Sequence, residues 1–183
     1  KGFKMSVTTT ATIKADIVFD QQQSFSQSTS NLVLQGSTDY TVSLSSGSGA
    51  EVREIDAIYN LGGSIISSGG TATYDLKSLE QPSFGTNYTI SLTGLKGLVI
   101  RNHNTGITET LSLKATGTNA FTNLFNGGSG NINIPAGGAY FYSDPFYGTA
   151  VTNSNKVLTL TSTGSGTGVL VSVIIAGISG TGG

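Results

Sequence analysis

Val169-Leu170-Val171-Ser172-Val173-Ile174-Ile175 is the stretch that decides the fold class. Val169, Val171, Val173 and Ile175 fall on one face of an extended segment, and Leu170 and Ile174 on the other. A strand apolar on both faces belongs in the middle of a sheet, covered by other elements or by a neighbouring subunit. The whole apolar run, Val169 to Ile178 with Ser172 and Gly177 inside it, is about half the length of a membrane-spanning helix. It reads as a central strand and not as a span.

Working outward, Gly164-Ser165-Gly166-Thr167-Gly168 reads as a hairpin connection from a strand over Lys156–Ser162 to this one, its length suggesting a flexible loop rather than a two-residue turn. Further strands are expected over Ala139–Ser143, Ile132–Ile134, Thr108–Thr116, Gly97–Asn102, Tyr88–Leu92 and Thr71–Leu76. Pro135-Ala136-Gly137-Gly138 presets φ and then supplies glycine where φ can turn positive, which predicts a hairpin turn. Asp39–Ser45 alternates cleanly, with Tyr40, Val42 and Leu44 on one side. Met5–Phe19 reads as one long strand or two, followed by a polar Ser/Gln loop over Gln21–Asn31. Glu51–Leu61 fits both a helical face and a strand; its β-like neighbours favour strand, with a short helix as the alternative.

The Gly/Ser phrases recur without a fixed period, which argues against propellers and solenoids. Strands with turn signals at about 8–12-residue spacing fit a sandwich or jelly roll. The prediction is an all-β fold, a jelly roll or related antiparallel β-sandwich of about 8–10 strands with at most one short helix. Residues 1–183 form one domain on this reading, with 1–31 as an extended N-terminal arm packed on neighbouring copies.

Composition narrows the chemistry. Charged residues make up 10% of the 183 positions, and the chain has no Cys, no Trp and one His against 26 Gly. Ordinary domains carry roughly a quarter charged residues, so little here can move protons, bind metals or hold phosphate. Nine basic residues scattered through a chain of net charge −1 leave no footprint for nucleic acid. Near-zero charge also removes repulsion between copies. Without cysteine there are no disulfides and no thiolate metal sites. No apolar signal-peptide core follows Lys1–Met5, and no amphipathic membrane-binding helix is expected.

Candidate sites are few. His103, in Arg101-Asn102-His103-Asn104-Thr105-Gly106, has no second His or Cys to help it and reads as a structural residue at a loop tip. Glu51 with Glu54, or Glu80 with Glu109, could in principle form a glycosidase pair, but no Trp platform accompanies them. Asp16, Asp20 and Asp144 lie where calcium loops could form, without EF-hand spacing. No catalytic residue, metal or cofactor is predicted. The best-placed surface is Tyr140-Phe141-Tyr142-Ser143-Asp144-Pro145-Phe146-Tyr147-Gly148. Tyr140, Tyr142, Phe146 and Tyr147 are its candidate partner- or ligand-binding residues, with Tyr140 and Tyr142 on one strand face and Phe141 on the other. The competing reading, favoured by the general burial of aromatics, is that they fill the core and an adjoining subunit boundary.

From Ser68 onward the order of features resembles a family of jelly-roll virion proteins of tailed phages and related prokaryotic viruses. The matching pieces are Gly70–Leu76, Phe84-Gly85, Leu95-Lys96-Gly97-Leu98-Val99-Ile100-Arg101-Asn102, Ile132–Gly138, Asp144-Pro145 and the final Ile175-Ala176-Gly177. The resemblance implies a capsid-decoration, spike, fibre-like or minor capsid protein, located in the virion. Such a protein binds its own copies or a capsid lattice and has no catalytic residues to transfer. The alternatives are a carbohydrate- or host-surface-binding module that takes a host glycan, and an extracellular bacterial filament or surface subunit. A polysaccharide-degrading enzyme is the remaining rival.

Overall fold

A computed structural model describes residues 11–24, 31–46, 54–83, 86–106, 108–164 and 166–180. The chain is all-β. At the N-terminal end β1 (Ala11–Ser24) pairs antiparallel with β2 (Asn31–Ser46) over fourteen positions, from Ala11↔Leu44 to Ser24↔Asn31. The short β3 (Glu54–Ile55) adds in parallel to the end of β2. Strand pairing therefore continues through Gln21–Ser24, where the sequence predicts the start of a loop. Hydrophobic alternation cannot mark a strand built from polar residues, so the pattern stops before the hydrogen-bond ladder does. The remainder of that loop, residues 25–30, and the start of the Met5–Phe19 strand lie outside the described residues.

The sandwich follows. Its strands are β4 (Ala57–Ile66), β5 (Thr71–Asp75), β8 (Leu92–Asn102), β9 (Thr110–Lys114), β10 (Asn131–Ile134), β11 (Ala139–Ser143), β13 (Val157–Thr163) and β14 (Val169–Ser179). Between them lie a hairpin of β6 (Leu79–Ser83) with β7 (Thr86–Ile90), and the two-residue β12 (Thr149–Ala150) beside β8. Among the described residues the one helical piece is a 3-10 turn at Thr122–Phe125. Glu51–Leu61 resolves as strand from Glu54 onward, with 51–53 outside the described residues.

The two sheets run β4-β14-β8-β11 and β5-β13-β9-β10, with antiparallel pairing throughout. The first sandwich strand thus pairs with the last, the second with the seventh, the third with the sixth and the fourth with the fifth. Nested pairing of this kind is a hairpin of four strand pairs rolled into two sheets, the jelly roll. Among the described residues eight strands make the sandwich; the additional ones are the N-terminal hairpin, the β6–β7 hairpin and short edge pieces.

Leu98, Ile100, Val171 and Val173 of one sheet face Leu111, Leu113, Leu158 and Leu160 of the other, all buried in a single core. Each such side chain contributes about 1.5–3 kcal/mol by leaving water. Tyr59 and Tyr74 meet edge to face across the sandwich with ring centroids 6.3 Å apart. Asn102 is the polar tie inside this core. Its Nδ2 donates to the carbonyls of Glu109 (3.1 Å) and Ile134 (3.2 Å), and its Oδ1 accepts from the Asn104 N–H (3.1 Å).

Two turns differ from expectation in what they connect. At Pro135–Gly138 the Gly138 N–H donates to the Pro135 carbonyl (2.9 Å) and Gly137 has φ 73°, the geometry of a type II turn. The turn nevertheless links β10 to β11, which belong to different sheets, so it is a crossover and not a hairpin. Gly164–Gly168 likewise carries the chain from β13 across the sandwich to β14. Local residues set how the chain bends; which strand receives it is decided by the core.

β14 lies between β8 and β4, the central position its sequence predicts. Val169, Val171, Val173 and Ile175 are buried against the other sheet. The opposite face is covered at one end, where Ala176 packs with Leu44 and Ile55. Leu170 and Ile174 on that same face stay partly exposed, so among the described residues the chain itself covers this face at one end.

Candidate functional site

The aromatic segment splits between the two sides of the sheet. β11 pairs with β8 so that Tyr140 faces Ile100, Phe141 faces Val99 and Tyr142 faces Leu98. Ile100 and Leu98 point into the core, and Tyr140 and Tyr142 pack half-buried with them. The face these two tyrosines share is therefore the core face, and the outward residue is Phe141, 46% exposed. The alternation placed them on one side correctly, but it carries no sign saying which side is wet.

Burial pushes both phenols up. For Tyr140 the Tyr142 charge adds to the rise. For Tyr142 a hydrogen bond with Thr149 opposes the rise and the Asp144 carboxylate adds to it. The Thr149 hydroxyl lies against the Tyr142 hydroxyl and also donates to Asp144 Oδ2 at 3.4 Å. Beyond Asp144, whose N–H donates to the Lys96 carbonyl (3.0 Å), the chain swings outward. There Phe146 is 55% and Tyr147 88% exposed, ahead of Gly148 at φ 72°. The four candidate residues thus do not form one surface: two are inward supports and two are loop tips.

The outer face of the β4-β14-β8-β11 sheet holds a groove of about 380 Å³. Its floor follows from strand periodicity: Val99 and Arg101 point outward along β8, and His103, just past its end, continues the alternation. Pairing places Phe141 and Ile174 on either side of Val99, and Ala139 and Ser172 on either side of Arg101. Directly opposed residues of this kind have Cβ atoms about 5 Å apart. One end of the groove is consequently apolar and aromatic, the other polar and cationic.

The polar end is tied together. His103 Nε2 lies 2.8 Å from Ser172 Oγ, which also accepts from the Gly63 N–H at 3.3 Å. The His103 N–H donates to the Leu170 carbonyl (2.9 Å), so His103 is anchored to β14 and is not the tip of a loop. Two hydrogen bonds to β14 hold it where sequence alone offers only a run of turn-formers. The contact has the spacing of a nucleophile and its base. Among the described residues no carboxylate bonds the imidazole to complete a triad. Arg101 makes no hydrogen bond or ion pair among the described residues.

The remaining candidates each have local partners. Glu80 Oε1 accepts from the Thr89 hydroxyl (2.7 Å), and Glu109 bonds the Asn104 amide. Glu51 lies outside the described residues. Asp16 and Asp20 stand within β1, and Asp144 leaves β11 by its bond to Lys96. Among the described residues no three His, Asp or Glu side chains converge as a metal site. Asp75 ends β5, as expected of a carboxylate at a strand end. It accepts the Lys77 N–H at 2.9 Å and pairs with Lys156 Nζ at 2.7 Å.

Sequence reasoning missed Arg101 and Ser172 as a pair. The alternation of Val99, Arg101 and His103 was legible, but Ser172 joins them only through the β8–β14 ladder, some seventy residues on. No protein-family model matches the chain, and no curated protein matches it.

Proposed function

We propose that this chain is a non-enzymatic structural subunit of a virus particle, a decoration, spike or minor capsid protein that works through contacts among its own copies and with a capsid lattice. The observation that carries this reading is the N-terminal hairpin. Fourteen paired positions make a ribbon of roughly 45 Å at 3.3 Å per residue, and a two-stranded ribbon is marginal in water by itself. Among the described residues its apolar contact with the sandwich is at Leu44, beside Ile55 and Ala176. Its outer strand β1 pairs with β2 alone among the described strands, which leaves an edge suited to a strand of another copy. Near-zero net charge lowers the cost of that association. The nested strand order and the resemblance from Ser68 onward support the virion setting; a fold alone hosts many functions.

Light scattering tests the reading. The full chain is expected as a closed trimer, pentamer or hexamer, and a chain lacking residues 1–24 as a monomer that keeps the thermal transition of the sandwich. A monomeric full chain, or an oligomer unchanged by the deletion, would sink it. An open-ended polymer would favour the filament subunit instead, since only closed rotations give finite assemblies. The glycan-binding reading draws separate support from the outward Phe141 on the outer face of the sheet.

A further inference from the structure

We propose that the outer groove of the β4-β14-β8-β11 sheet binds a carboxylate-bearing saccharide, with Arg101 holding the carboxylate and the Phe141 ring carrying the apolar face of the sugar. The inference is independent of self-association through the hairpin.

Three features of the groove carry it. First, Arg101 brings a permanent charge and a planar fork that matches a carboxylate, and among the described residues nothing neutralises it. Second, Ser172 and His103 beside it are already oriented by each other and by the Gly63 N–H, so a hydroxyl and an imidazole are fixed before any ligand arrives. Third, Phe141, Val99 and Ile174 form an apolar row one repeat away, about 7 Å along β8. That distance suits one pyranose ring with its acid group. Pockets that combine an apolar wall with a few placed polar groups are the usual ligand sites.

The shape excludes two other carboxylates. A peptide C-terminus is normally caught by free backbone N–H groups, whereas the strands that form this floor are paired in register on both sides of β8. A fatty acid needs a pocket that buries most of its chain, and this groove is open along the sheet with Phe141 half-exposed. A saccharide lying flat, with its acid at the Arg101 end, meets both the chemistry and the shape.

The test is calorimetric titration of the full chain, at a mass fixed by light scattering, with tetragalacturonate and with sialyllactose. Fully methyl-esterified tetragalacturonate is the neutral control. Saturable binding of at least one acidic saccharide is expected, and weakening with added salt. If tetragalacturonate is the one bound, its methyl ester should bind at least about ten-fold more weakly. Arg101→Gln should weaken binding by a similar factor and Arg101→Lys by less, as expected for loss of the fork with and without loss of the charge. Phe141→Ala should also weaken it, while Tyr147→Ala should not. Arg101 and Phe141 are exposed, so the variants should keep the parent melting temperature. Failure of both saccharides to bind the folded protein would overturn the proposal, as would binding that survives Arg101→Gln or is lost with Tyr147→Ala. Hexanoate binding as tightly as the saccharides would reduce the site to a simple carboxylate site and also overturn it.

Discussion

Tyr142 and Tyr147 stand five positions apart in one aromatic run, yet they meet different surroundings. Tyr142→Ala removes a ring packed on the core and the hydroxyl that meets Thr149. It should lower the unfolding free energy by about 2–3 kcal/mol in urea titrations. Tyr147→Ala removes a ring in water and should stay within about 0.5 kcal/mol of the parent; equal losses would contradict the assigned faces. Tyr74 offers a second residue-level check. Burial, and then the charge of Tyr59, push its phenol from 10.0 to about 12. The folded state thus prefers the neutral phenol. The resulting stabilisation is complete below pH 10 and is lost as pH rises from 10 toward 12. Roughly 2–3 kcal/mol should disappear over that window. Tyr74→Phe should flatten this alkaline loss and remove a tyrosinate absorbance step near pH 12.

At the scale of the element, the crossovers between sheets are where single residues matter most. Gly137 has φ 73° with open space where a Cβ would stand, so Gly137→Ala meets only backbone strain, about 1–2 kcal/mol. Gly168 has φ 113°, and a Cβ there would run into the Ile66 carbonyl at the end of β4. Gly168→Ala should therefore cost at least about 3 kcal/mol, and comparable urea midpoints for the two variants would refute the difference in crowding. Much at this scale was readable in advance. The span of β11 matches its pattern, and β10 and β13 match within one residue. β6 was not readable, because Leu79-Glu80-Gln81-Pro82-Ser83 has neither alternation nor β-branched residues. Its pairing with β7 makes it a strand. The hairpin roles given to Pro135–Gly138 and Gly164–Gly168 failed for a related reason, since a turn sequence specifies a bend and not a partner.

For the whole molecule, closure of the sandwich depends on its most distant pair. β14 joins β4 between positions more than 100 residues apart. Loop closure must precede the contacts that reward it, so refolding followed by tyrosine fluorescence should run on the millisecond-to-second scale or slower. A chain ending before Val169 loses the centre of one sheet and should show no cooperative thermal transition; a preserved transition would contradict the central role of β14. The groove belongs to this scale as well. Val99, Arg101 and His103 sit on one side of a strand by periodicity alone, while Phe141, Ile174 and Ser172 reach them from β11 and β14. From the order of residues alone came the all-β class, the turns, the central β14 and the two-sided character of β11, because alternation and glycine chemistry act within a few residues. The nested strand order, the inward turn of Tyr140 and Tyr142, the anchoring of His103 on Ser172 and the groove on the outer face came only from the tertiary structure. Each depends on which distant strand lies alongside, and that is decided by how the whole chain buries its apolar surface.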